Sequence, residues 1–317
     1  MQAIYSWFRL LRGFNLMITA LSLYLFQYFV LKPYLAYCGL FPTLNNVQFA
    51  LFALAVLLIM AGGNVINDFF DFQRDRAAGR NTPIGNIISL DGAYTLHFIL
   101  TALGVILGFW VSYQEGFFRS GYYFLFAAVF LWIYSYLLKK YFLIGNIVIA
   151  ALSAFVFVLV VLMEPQLFRG ASNDMEQLMF PWIINYMKGY ALFAFLTTLI
   201  REISKDAEDR EGDQAAGMAT LPIVLPVWAT NLIIVILELI CMGLIAWLQY
   251  VFWKNGQKKQ FWYCMFFLQS QQLLNITVVA GARSAKAYRN QSIFLKVLML
   301  FGILTMPLFY WFTIGKL

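Results

Sequence analysis

About twenty apolar residues in a row, nine times over, leave few folds open to this chain. Runs of that length match the hydrocarbon thickness that a single helix must cross. They fall near residues 14–34, 47–70, 93–113, 121–138, 143–163, 182–203, 229–252, 261–282 and 293–312. Of 317 residues, 62 % are hydrophobic and 12 % charged, about half the charge of a soluble domain. The expected architecture is an all-α polytopic membrane protein with nine transmembrane helices. No small-residue cleavage site follows the first run, so it is read as a true span.

Several chemistries are excluded early. Cys38, Cys241 and Cys264 are scattered, with no Cys-x2-Cys pair, so they form neither a disulfide framework nor a zinc site. The only histidine, His97, lies in an apolar run and reads as a packed residue. The formal charge of +7 suits anionic lipid and an anionic substrate. It does not point to nucleic acid, because no soluble segment carries a basic stripe with interleaved aromatics.

The negative charge is gathered in two places. Asp68, Asp71 and Asp75 repeat the spacing of Asp206, Asp209 and Asp213, and with Glu202, Glu208 and Glu211 they make 9 of the 15 acidic residues. On a helix, offsets of 0, +3 and +7 place three side chains within about a 60° arc. Each set therefore predicts an acidic stripe at the end of a span. Bare carboxylates that close repel one another. A divalent cation removes that penalty, and Mg²⁺ favours a few carboxylates completed by water and phosphate oxygens. Two facing stripes would hold Mg²⁺ and a diphosphate. Asp68, Asp71, Asp209 and Asp213 are the candidate catalytic positions. With Asn67, Asp75 and Asp206 they are the candidate metal ligands.

Basic and amide side chains lie close by in sequence. Asn15, Arg76, Arg80, Lys139, Lys140, Asn146, Arg201 and Lys205 are candidate diphosphate contacts. Positive-inside anchoring and ordinary interfacial amides are the competing readings. Glu238 is alone and deep in the seventh apolar run; a packing contact and a cavity lining both stay open.

Loop charge orients the chain. Thirteen Lys and Arg fall on one set of helix ends and eight on the other, although Lys254, Lys258 and Lys259 pull the opposite way. This expects a multi-pass protein of the cell membrane, with the N-terminus and both acidic loops cytoplasmic and the C-terminus external. Four helices separate the loops, and the echo continues past the acids. Asp75-x3-Gly79-x2-Thr82 matches Asp213-x3-Gly217-x2-Thr220, with Pro83 and Pro222 close behind. The expectation is one domain over residues 1–317, built from parallel four-helix pseudo-repeats, about 1–138 and 139–282, plus a ninth helix at 293–312.

At these residues the chain resembles the UbiA superfamily of intramembrane prenyltransferases. Asn67, Asp68, Asp71 and Asp75 meet its first aspartate-rich pattern, and Asp206, Asp209 and Asp213 its second. Arg201-Glu202-Ile203, Lys205-Asp206, Glu208-Asp209, Glu211-Gly212-Asp213, Gly217 and Thr220-Leu221-Pro222-Ile223 are similar to the digeranylgeranylglyceryl phosphate synthases of that superfamily. One stretch departs from them. An Arg-Pro pair and a Ser-Gly turn are common there, whereas this chain has Asn81-Thr82-Pro83-Ile84-Gly85-Asn86.

The resemblance implies a Mg²⁺-dependent transferase in lipid biosynthesis. It would move a prenyl group, geranylgeranyl by that likeness, from its diphosphate to a lipid-soluble acceptor within the membrane lipid. For the closest subfamily the acceptor is the hydroxyl of geranylgeranylglyceryl phosphate. Two rivals remain. One is an aromatic acceptor, as in quinone (for example menaquinone) biosynthesis. The other is a divalent-cation or phosphate transporter, which would want polar groups near mid-membrane.

Overall fold

A computed structural model describes residues 2–77, 79 and 82–313. The described chain is helical, and its one β contact is an isolated bridge between Ile84 and Ile88. Helix α1 (Gln2–Leu10) leads into α2 (Gly13–Phe26), which continues through a wider π turn (Gln27–Leu31) into α3 (Lys32–Tyr37). Then come α4 (Asn46–Ala77), α5 (Leu90–Gln114), α6 (Gly121–Tyr136), α7 (Ile144–Leu162) and α8 (Asp174–Glu208). Two short helices, α9 (Arg210–Ala215) and α10 (Leu221–Val224), precede α11 (Val227–Lys254). The chain continues in α12 (Lys258–Tyr263), a second π turn (Cys264–Gln269), α13 (Ser270–Ala280) and α14 (Ala285–Thr313).

Among the described residues, seven helices are long and apolar enough to cross a membrane. They coincide with seven of the nine expected runs. The other two runs are helical as well, but differ in build. Helix α6 has 16 residues, about 24 Å at 1.5 Å per residue, shorter than a hydrocarbon core of about 30 Å. The run at 261–282 is divided by its π turn into α12 and α13.

The chain forms two compact units, divided inside α7 after Ala154 and inside α8 after Met187. The first unit comprises residues 1–27, 31–139 and 155–187. Helix α4 is its centre, packing on α2, α5 and α6, and it is the most enclosed of the seven spans. Gly104 of α5 meets α4 so closely that a Cβ there would lie 2.9 Å from the Ala55 carbonyl oxygen. That close crossing is how membrane helices gain packing where lipid supplies no hydrophobic drive. The start of α5 is fixed by Ser89, whose hydroxyl accepts from the Gly92 amide at 3.1 Å, with Asp91 in the first turn. A loop at the far end of α4 is pinned by Glu164, which is 1 % exposed. Its carboxylate accepts from the Thr43 amide at 2.9 Å, the Thr43 hydroxyl at 2.7 Å and the Gln166 amide at 2.8 Å.

The second unit comprises residues 28–30, 140–154 and 188–317. Ile200, Ile203, Ile234, Leu295 and Leu298 lie in its apolar core. Polar pairs stitch the helices within it. Ser204 donates to Gln291 at 2.9 Å, Tyr190 and Thr305 join hydroxyls at 2.7 Å, and Tyr288 donates to Asn231 at 2.6 Å. Buried hydroxyls and amides in an apolar setting need such partners.

Candidate active site

Helix α4 runs unbroken to Ala77, so it carries Asn67, Asp68, Asp71 and Asp75 on a regular helical lattice. This is the stripe that the spacing predicts. Its centre is Asp71, buried at 7 % exposure. Asn67, one turn earlier, donates to Asp71 Oδ2 at 3.1 Å. Lys139, on the short turn Leu138–Lys140, donates from Nζ to Asp71 Oδ1 at 2.6 Å. The same ammonium lies 3.4 Å from both Asn67 oxygens. Arg74 pairs with Asp71 at 3.2 Å and with Asp75 at 3.6 Å. Two cations thus converge on one buried carboxylate, an arrangement stronger than a surface pair.

Asp68 has a different partner. Arg12 pairs with it at 3.1 Å. Arg12 holds a left-handed backbone (φ 52°) just before α2, a conformation disfavoured for an arginine. Asn64, one turn before Asp68, donates from Nδ2 to the Leu11 carbonyl at 3.0 Å and so ties down the residue preceding that bend. Neither Arg12 nor Asn64 is among the candidates that the sequence offers. The available signal was a basic residue three positions before Asn15, directly at the head of a span.

The second stripe is bent where a straight helix was expected. Asp206 lies in the last turn of α8, Asp209 at the junction (φ −92°, ψ 4°), and Asp213 in α9. Helical hydrogen bonds nevertheless bridge the bend, from the Asp209 amide to the Lys205 carbonyl at 2.9 Å and from the Asp213 amide to the Asp209 carbonyl at 3.0 Å. The three carboxylates therefore stay roughly in register while the axis turns. Asn146, early in α7, donates to Asp206 Oδ2 at 2.7 Å. Expected as a phosphate contact, it stands here as a support for a carboxylate. Arg201 pairs with the neighbouring Glu202, which is buried at 4 % exposure. Glu208 pairs with Arg289 at 2.7 Å.

The remaining candidates are placed as follows. Asn15 sits in the first turn of α2, its amide bonded to the Arg12 carbonyl at 2.8 Å. Arg76 is exposed near the end of α4, and Lys205 is partly buried near the end of α8. Lys140 is exposed, and its carbonyl accepts from the Ala219 amide at 3.0 Å, closing the loop beyond the second stripe. Arg80 lies outside the described residues. Among the described residues, no three His, Cys, Asp or Glu side chains converge as they stand on one metal position. The carboxylates are engaged instead by Arg12, Lys139, Arg74 and Asn146.

Beyond each stripe the backbone repeats itself. Gly79 and Gly217 both take φ 67°, and each amide bonds a carbonyl three residues back at 3.1 Å, that of Arg76 and that of Gln214. A left-handed residue at a helix end is the natural place for glycine. After Gly79 the loop folds inward. Pro83 accepts the Asn86 and Ile87 amides at 3.1 and 2.9 Å, and Ile84, 1 % exposed, packs with Leu10, Val65 and Ala93.

The chain is similar to known proteins. The UbiA prenyltransferase family model matches residues 25–298. Digeranylgeranylglyceryl phosphate synthase of Methanosphaera stadtmanae is 34 % identical over 197 residues, 62 % of this chain and 64 % of that protein. The enzyme of the same name from Methanobrevibacter smithii is 33 % identical over 180 residues, 56 % of this chain and 59 % of that protein. The match thus spans under two thirds of these relatives' lengths. Among solved structures, a digeranylgeranylglyceryl phosphate synthase aligns with TM-score 0.59 at 24 % identity, covering 96 % of this chain and 98 % of that one. A UbiA homolog from Archaeoglobus fulgidus, bound to GPP and Mg²⁺, aligns with TM-score 0.60 at 15 % identity, covering 95 % and 99 %. These two likenesses show the fold. With the family match running over most of its length, the chain belongs to the UbiA prenyltransferase family.

Proposed function

We propose that this chain is a Mg²⁺-dependent prenyltransferase. It transfers geranylgeranyl from its diphosphate to the hydroxyl of geranylgeranylglyceryl phosphate, forming an ether lipid. The observation that carries the reading is the first stripe, where a carboxylate lattice on α4 is met by Arg12, Arg74 and Lys139. Carboxylates for a metal and cations for a phosphate are paired along the end of one helix. The synthases similar to this chain carry that activity in their name, and a homolog of the same fold binds GPP and Mg²⁺.

The donor set fits Mg²⁺ in chemistry. Asp68, Asp71 and Asp75 with Asn67 would hold it on the first stripe, and Asp206, Asp209 and Asp213 on the second, all hard oxygen ligands. When bound, the metal supplies charge neutralisation for the departing diphosphate. The chain's own residues do the rest. Lys139, Arg74 and Arg12, released from Asp71 and Asp68, turn toward phosphate oxygens and stabilise the growing negative charge. Asn146 holds Asp206 in orientation, and Asn67 does so for Asp71. Apolar helices take up the isoprenoid tail and keep water from quenching the allylic cation. The C–O bond to diphosphate breaks, the acceptor oxygen attacks the allylic carbon cation, and the hydroxyl proton passes to the released diphosphate.

An aromatic acceptor is the second reading, because the loop from Thr82 to Asn86, packed down by Ile84, lacks the Arg-Pro and Ser-Gly pattern that would tie the acceptor to that of the similar synthases. Purified protein given labelled geranylgeranyl diphosphate and both acceptors separates the two by product mass. An ether product is expected. An aromatic product overturns the acceptor while leaving prenyl transfer intact. Absence of any diphosphate release overturns both.

The finer architecture belongs to the same proposal: nine crossings, with α6 and the path from α12 to α13 completing the seven long spans, in two parallel pseudo-repeats. Shared features support it. Gly79 and Gly217 adopt the same φ. Arg12 and Leu143, the two non-glycine residues with positive φ among those described, each precede an asparagine by three positions, Asn15 and Asn146. The loop charge bias supports a cytoplasmic N-terminus and active site and an external C-terminus in the cell membrane. Labelling of single cysteines introduced at Gln73 and Asn255 from each side of sealed vesicles tests that orientation.

A further inference from the structure

The second unit encloses a buried polar group on α11 and α13. Glu238, Gln272 and Asn275 are each 0 % exposed. The carboxylate oxygens of Glu238 and the amide atoms of Asn275 have no hydrogen-bond partner, and the Gln272 amide meets no polar oxygen or nitrogen, only the Cys241 thiol. Glu238 lies eleven residues into α11, about 16 Å from its start and so near the middle of a hydrocarbon layer about 30 Å thick. An intramembrane carboxylate is expensive there and marks a binding site or pathway by default.

The helix register brings the three together. Asn231 of α11 donates to the Ala282 carbonyl at 2.9 Å, and Gln269 donates to the Met242 carbonyl at 3.0 Å. These two ties run in opposite chain directions, so α11 and α13 are antiparallel. Glu238, between Asn231 and Met242, therefore faces the stretch that bears Gln272 and Asn275. Cys241, one turn after Glu238, adjoins the Gln272 side chain. The π turn Cys264–Gln269 stands directly before this stretch; such turns reorient the residues that follow and recur at functional sites.

We propose that Glu238, Gln272 and Asn275 form an intramembrane site for a monovalent alkali cation. Two carboxylate oxygens and two amide carbonyl oxygens supply four hard ligands. One carboxylate carries one negative charge, so a monovalent ion leaves the site neutral, whereas a divalent ion would leave a net charge in a medium of low dielectric. None of its three residues belongs to either stripe, and the bound ion holds α11 against α13.

The test is thermal unfolding of the purified full chain in detergent at about pH 9, where protons compete least for a carboxylate. Na⁺, and in parallel K⁺, replaces choline at constant ionic strength. The expected result is a rise in Tm of about 2–4 °C with at least one of the two ions, and no ion-specific rise in Glu238→Gln. A wild-type Tm indifferent to both ions overturns the proposal, because the three side chains would then satisfy one another around a protonated carboxyl. An equal rise in Glu238→Gln also overturns it. The wild-type titration stands by itself if the variant does not fold.

Discussion

The two acidic stripes share a spacing and differ in support. On α4, Asp71 is held by the cations of Lys139 and Arg74, and Asp68 by Arg12. At the junction of α8 and α9, Asp206 is held by the neutral amide of Asn146. The first stripe lies on a straight helix and the second turns at Asp209. Equal spacing thus serves two electrostatic settings. In the proposed reaction, a stripe braced by cations would release them on taking up a metal, and those cations would then meet phosphate. Asp206, held by an amide, is oriented without giving up that bond to a phosphate. Under the proposed function, the comparison assigns the basic residues of the first stripe to the leaving group and the amide of the second to a ligand.

The largest effect should come from the carboxylates themselves. Asp68→Ala and Asp209→Ala are each expected to lower diphosphate release by at least about 10²–10³-fold, with helix content and elution in detergent unchanged. EDTA should match that loss and Mg²⁺ restore activity in the unmutated chain. Retained turnover in either variant would remove that stripe from the reaction.

Lys139→Gln comes next. If Lys139 turns to phosphate, turnover should fall about 10²-fold with little change in the Mg²⁺ needed for half-activity. Asn146→Ala should show the reverse emphasis. Loss of one hydrogen bond to a charged group, worth roughly 1.5–3 kcal/mol, should raise the Mg²⁺ requirement about tenfold or more with a smaller drop in maximal turnover. An exchange of these two patterns would break the comparison. Arg12→Gln touches a partly exposed pair, so a change of about 2–5-fold is expected, in keeping with about 0.2–1 kcal/mol.

The smallest effect concerns Glu164, a buried carboxylate of the first unit held by neutral donors. Burial pushes its pKa up, against the opposing hydrogen bonds from Thr43 and Gln166, and Glu115 adds to the rise. The folded state then binds the proton more tightly than the unfolded state. Its contribution to stability is therefore full below the ordinary glutamate value of 4.5 and is lost as pH rises through the folded value. Tm followed from pH 4 to pH 8 should decline less in Glu164→Gln than in the unmutated chain. Identical slopes would show that Thr43 and Gln166 compensate fully for burial.

Much of this was legible in advance, for local reasons. Apolar run length marks helices because a span must satisfy its backbone internally, and seven of the nine runs became long helices. The offsets of Asp68, Asp71 and Asp75 gave their shared face because α4 is regular through Ala77. Gly79 and Gly217 echoed in sequence and again in φ, since a helix stop is a short-range event.

What folding alone decided lies at long range. Arg12 reaches Asp68 across 56 residues, Lys139 reaches Asp71 across 68, and Asn146 reaches Asp206 across 60. No periodicity encodes which of several nearby cations takes which carboxylate, because that choice follows from helix packing. The bend at Asp209 is likewise invisible in its spacing, because the three carboxylates keep their register while the axis turns. The sequence by itself determined the membrane class, the helices and the carboxylate ladder, through burial cost and helical geometry. The tertiary structure decided the partners, because an ion pair forms only where packing brings two distant side chains within reach.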